Sequence, residues 1–109
     1  MESRNLQRAS LAEHWELGDL WRTASVLEAL AATETRDGQH HWAVHLLGAA
    51  QTLRARLNAP VPPVEQPDVA AAATRLRSVV GGTAFDAALA TGGASGLEQT
   101  IRHELARTG

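Results

Sequence analysis

Between residues 40 and 57 the apolar side chains Ala43, Leu46, Leu47, Ala50, Leu53 and Leu57 recur at spacings of three and four. That period belongs to one face of an α-helix, and the face is wide enough to bury against two neighbours. What covers it must also be helical, because no stretch sustains a period of two and β-branched residues are scattered. Alanine dominates the apolar residues and only 4% of the chain is aromatic. A core of such small side chains requires helices that approach closely. The expected fold class is therefore all-α.

The remaining elements follow from periodicity and stop signals. A first helix over about residues 4–17 carries Leu11, Trp15 and Leu17 and ends at Gly18-Asp19, where glycine stops one helix and aspartate caps the next. A second, over about 20–36, places Leu20, Ala24, Leu27 and Ala31 on one stripe with Val26 and Leu30 beside it. Asp37-Gly38-Gln39 turns the chain into the third helix, over about 40–57. Pro60, Pro62 and Pro63 forbid further helix, since each lacks an amide donor and restricts its predecessor.

A fourth helix is predicted from Pro67, in its first turn, to Val80, with Gly81-Gly82 as its stop. Thr83 and Asp86 have the spacing of a weak capping box opening a short helix that buries Phe85 and Leu89 and stops at Gly92-Gly93. Ser95-Gly96-Leu97-Glu98 has the full S-x-x-E spacing, so a last helix is expected to bury Leu97, Ile101 and Leu105. Six helices on short turns make antiparallel neighbours. At 109 residues the chain reads as a single domain: a hairpin with its preceding helix over 1–58, a proline-rich linker over 59–66 and C-terminal helices over 67–109.

Composition excludes several function classes. A formal net charge of −2 provides no general attraction for phosphates, so direct nucleic-acid binding is not expected. The absence of cysteine rules out disulfides and thiolate metal sites. No apolar run has signal-peptide character or approaches the roughly 20 residues of a membrane span, and the expected location is the cytoplasm. No G-x-x-x-x-G-K-[ST] phosphate loop and no basic recognition helix occur.

Residues 27–55 can be laid on the tetratricopeptide pattern of two antiparallel helices. Leu27, Leu30, Ala31, Gly38, Ala43, Leu47 and Ala50 occupy its apolar, small and turn positions, with departures at Glu34, where an aromatic is usual, and at Ala55, where proline is usual. The run from Ala43 through Leu46-Leu47-Gly48-Ala49-Ala50 to Leu53-Arg54, followed by Ala59-Pro60-Val61-Pro62-Pro63, resembles the C-terminal tetratricopeptide-like tail of large bacterial LuxR-type and antibiotic-regulator-type transcriptional regulators. Gly82-Thr83-Ala84-Phe85-Asp86-Ala87-Ala88 and Leu97-Glu98-Gln99 are similar to that family's later motifs, while Pro67 departs from its continuing helix. The resemblance covers roughly residues 14–105. It implies TPR-like hairpins in a tail that packs against, or senses signals for, an ATPase and DNA-binding machine; no residue set for catalysis or a cofactor is found, and neither is expected. The chain would begin in the second helix of a preceding repeat, and so reads as a fragment or a free-standing truncated relative.

Candidate sites follow from the rarer residues. An N-terminal helix with no repeat before it must cover its apolar side, so Leu11, Trp15, Leu20 and Trp21 are expected either to close the core or to form a sticky end that binds protein or a second copy; Trp42 is a further aromatic anchor. Trp42, His45 and Phe85 are the expected lining of a small-molecule pocket, the competing reading. His41 and His45 are four apart, with His40, His14 and Glu34 as further candidates, but zinc requires three or four convergent ligands and no metal site is expected. Glu13, Glu16 and Glu34 read as solvated carboxylates, for want of a nucleophile or oxyanion donors. Residues 91–96 resemble a phosphate cradle only superficially, and read as a stop, a link and a cap.

Overall fold

The computed structural model describes residues 2–107, which form six helices: α1 (Glu2–Leu17), α2 (Leu20–Arg36), α3 (His40–Leu57), α4 (Gln66–Val80), α5 (Gly82–Ala94) and α6 (Leu97–Ala106). Among the described residues there is no strand, and no helix is long and apolar enough to cross a membrane. The bounds of α2 and α3 are those the periodicity predicts. α1, expected from about residue 4, begins at Glu2.

The first three helices end alike. Gly18, Gly38 and Asn58 hold left-handed backbone at φ +73°, +82° and +52°. The amide after each turns back to a carbonyl five residues earlier: Asp19 to His14 at 2.9 Å, Gln39 to Glu34 at 2.9 Å and Ala59 to Arg54 at 3.0 Å. These are Schellman closures, which satisfy carbonyls that a helix end would otherwise leave open. Asp19 also begins α2, its Oδ1 accepting the Arg22 amide at 3.1 Å. That bond holds the Asp19 carboxyl below the ordinary carboxylate range, with the Arg22 guanidinium adding to the effect.

The proline segment leads into α4 through a turn in which the Pro62 carbonyl accepts the amides of Glu65 (2.9 Å) and Gln66 (3.1 Å). Pro67 sits in the first turn of α4, as predicted. Arg54 fastens this segment to the bundle. Its Nε and Nη2 donate to the two carboxylate oxygens of Glu28 at 2.6 and 2.8 Å, and its Nη1 reaches the carbonyls of Ala59 (3.3 Å) and Pro60 (3.5 Å). Glu28 keeps the guanidinium above its ordinary pKa.

α3 is the central element. It packs most extensively on α5 and α2 and also touches α4 and α6, while α6 returns to α1. The core is Leu11 from α1, Leu27, Leu30 and Ala31 from α2, Ala43, Val44, Leu46, Leu47 and Ala50 from α3, and Leu76, Phe85 and Ile101 from the last three helices.

Four local expectations are corrected. α5 does not stop at Gly92-Gly93 but runs through both to Ala94, because those glycines lie against α3. A Cβ on Gly92 would come within 2.8 Å of the His45 carbonyl carbon, and one on Gly48 within 3.0 Å of the Leu89 carbonyl carbon. The stretch is a helix-packing seam rather than a flexible link. Thr83 caps nothing, since α5 starts from Gly81; Asp86 instead pairs with Arg77 at 2.9 Å. Ser95 does not cap α6, which starts from Gly96; its hydroxyl donates to the Thr91 carbonyl at 2.8 Å and so closes α5. Leu105, expected in the core, is exposed, and Glu104 is buried in its place.

Candidate functional site

Short turns place the C-terminal end of α1, the start of α2 and the end of α3 at one pole of the bundle. There Leu20, Trp21, Leu57 and Ala59, with Gly18 and Asp19, line an open groove of about 510 Å³. Trp21 is 60% exposed and the neighbouring Leu17 74%. Leu17 was expected to join the apolar face of α1, but at the last position of that helix nothing packs over it. Of the other predicted interface residues, Leu11 is fully buried in the core and Trp15 packs partly against it. The predicted sticky end thus divides: α1 closes the core, and Leu20 and Trp21 form the surface.

The opposite pole is polar. Arg4 donates to Glu34 at 3.0 Å and also to Asp37. Arg8 Nε donates to Glu104 at 2.7 Å, and Arg8 Nη1 to the Arg107 carbonyl at 3.0 Å. Arg8 and Arg107 lie 3.8 and 3.5 Å from the second oxygen of Glu34. Three guanidiniums therefore face three carboxylates, and Glu34 and Glu104 have no exposed surface. Burial of such charges is tolerated because each has opposite charges around it and at least one hydrogen bond, although Glu34 Oε2 accepts none and is balanced by the nearby guanidiniums alone. Glu34 is accordingly not a solvated carboxylate, contrary to its sequence reading, whereas Glu13 and Glu16 are exposed.

Trp42 joins this cluster to α3. Its Nε1 donates to Glu104 at 2.7 Å, and its ring stacks on His45 (centroids 4.6 Å apart), meets His103 at 4.4 Å and has the Arg107 guanidinium 5.5 Å from its centre. His45 Nε2 lies 3.1 Å from the Thr100 hydroxyl. Burial holds the His45 imidazole below the ordinary histidine range, and His103 adds to the effect.

A cleft of about 170 Å³ beside Trp42 and His45 is completed by Ser95, Gln99, Thr100 and His103. Phe85 does not line it. It is buried elsewhere, with the Arg77 guanidinium 4.5 Å from its ring centre. Trp42 likewise lies apart from Trp21, at the other pole. The candidate metal residues do not come together: among the described residues no three metal-binding side chains form a group, and Glu34 is occupied by arginines.

Arg4, Arg8, Glu104, Thr100 and His103 were not singled out from the sequence, although a signal was there. Arg4, Arg8, Leu11 and Trp15 continue one stripe of α1, Glu34 extends the stripe of Leu27 and Ala31, and Glu104 that of Leu97 and Ile101. A charged residue in register with a buried stripe at a helix end is a candidate for a buried ion pair. Comparison of the chain with models of protein families, with curated proteins and with solved structures finds no match.

Proposed function

We propose that this chain is a non-catalytic protein-binding module of a bacterial transcriptional regulator, acting in the cytoplasm and offering the Trp21 groove to an apolar segment of a neighbouring ATPase or DNA-binding domain. The observation that carries the reading is the exposure of Trp21 beside Leu20, Leu57 and Ala59 in an open, mainly apolar groove. An exposed tryptophan in an apolar groove is the usual form of an interface anchor.

The tetratricopeptide part of the reading is consistent with the α2–α3 hairpin. Leu27, Leu30, Ala31, Ala43, Leu47 and Ala50, the apolar residues that fit the tetratricopeptide pattern, are all buried, and Gly38 holds the turn between the two helices. A second reading, a sensor for a small-molecule effector, is favoured by the cleft beside Trp42 and His45. Its volume of about 170 Å³ is below the roughly 300–1,000 Å³ of ordinary ligand pockets, so it ranks second.

The test begins with the coding sequence on either side, which is expected to encode a phosphate-loop ATPase and a helix-turn-helix. ATP hydrolysis by that ATPase should change when the chain is added, and the Trp21→Ala chain should not produce the change. Neighbouring sequence without either motif, or equal effects of both chains, overturns the reading.

A further inference from the structure

α6 is a short helix attached mainly to α1 and α3; Ile101 enters the core, and the helix's side-chain hydrogen bonds to α3 are gathered round one ring. Trp42 of α3 donates to Glu104 of α6 at 2.7 Å, and His45 of α3 meets Thr100 of α6 at 3.1 Å. Two imidazoles, His45 from α3 and His103 from α6, lie against the same indole, at 4.6 and 4.4 Å between ring centres. We propose that α6 is an acid-sensitive strap: it lies across α3 while the His45 imidazole, against the same indole as His103, is neutral, and loosens when His45 is protonated, leaving the rest of the bundle folded.

The other ionisable groups around the pair do not cancel a positive charge on His45. From α6, Glu104 already accepts from Trp42 and from Arg8 of α1, and Arg107 adds positive charge at 5.5 Å from the indole centre. α5 presents Gly92 to the backbone of His45 and brings no charge there. On α3 itself, His41 lies one turn before His45 and is exposed.

The sign follows from the burial of His45, which disfavours its protonated form while α6 is docked. The open form therefore takes up the proton more readily. Docking is at full strength above the ordinary histidine range and weakens as pH falls through it.

Backbone hydrogen exchange of the full chain, corrected for intrinsic rates, at about pH 7.5 and about pH 5.5 tests the proposal. Protection of residues 97–106 should fall about threefold or more relative to α2 and α3 on acidification, less than about twofold in His45→Gln, and less than in wild type in His103→Gln. His103 is exposed, so its variant remains informative if His45→Gln does not fold. Wild-type α6 protection that follows α2 and α3, or an equal fall in either variant that folds, overturns the proposal.

Discussion

Gly92 of α5 rests directly on the backbone of His45 in α3, so closely that a methyl group on Gly92 would lie within 2.9 Å of the His45 Cα. Gly48 makes the reciprocal approach to Leu89, and a Cβ on Gly93 would fall 2.5 Å from the Thr52 hydroxyl. Non-consecutive helices α3 and α5 thus form the most extensive pairing in the molecule through contacts that no larger side chain permits.

Gly92→Ala is predicted to destabilise the fold. Helix propensity alone would favour alanine by about 1 kcal/mol, but overpacking against backbone that has no room to move costs about 1–3 kcal/mol or more. The expected net effect is a fall of several degrees in Tm, at about 4–8 °C per kcal/mol for a domain of this size. Gly96→Ala, where an added Cβ meets nothing closer than 3.9 Å, is the control for packing and should cost only the N-cap preference for glycine over alanine, about 0.5–1 kcal/mol. Thermal unfolding followed by circular dichroism distinguishes the two.

Glu34→Ala should cost about 3–5 kcal/mol, because it leaves buried Arg4 and the part-buried Arg8 and Arg107 short of a carboxylate. The exposed Glu98–Arg102 pair on α6 supplies the contrast, and Glu98→Gln should cost less than about 0.5 kcal/mol. Urea unfolding midpoints measure both. Equal effects would show that the ionic cluster contributes no more than a surface pair.

Asp19→Ala should lower Tm at neutral pH by removing the side chain that accepts the Arg22 amide, and Asp19→Asn, which keeps an acceptor, should lower it less. The Asp19 carboxyl is held below its ordinary value in the folded state, so its stabilising contribution is present above that value and disappears as pH falls through the folded one. The Tm gap between wild type and Asp19→Ala should accordingly close on acidification below about pH 4. A gap that widens there would contradict the assignment.

The helices were legible in the sequence wherever a long apolar stripe met an unambiguous stop, as with Leu27 and Ala31 before Gly38, or Leu53 and Leu57 before the prolines. What the sequence left open was how each glycine is used. Gly18 and Gly38 supply left-handed backbone, whereas Gly92 and Gly93 supply close approach within a helix, and both uses read as the same letter. The ionic cluster was hidden for a different reason. Glu34 meets Arg4, 30 positions earlier, and Arg107 near the far end of the chain, so only the folded chain brings its partners together. The exposed half of the predicted sticky end was readable as an apolar pair, but not its separation from Trp15, which depends on where α1 ends.

The central claim is a division of labour between two tryptophans: Trp42 holds the fold closed and Trp21 is left for a partner. Thermal unfolding of Trp42→Ala beside Trp21→Ala tests it most directly. The account predicts that Trp42→Ala loses about 3 kcal/mol or more, through lost packing and a buried Glu104 oxygen left without its donor, while Trp21→Ala stays within about 0.5 kcal/mol of wild type. Comparable destabilisation by the two substitutions would contradict it.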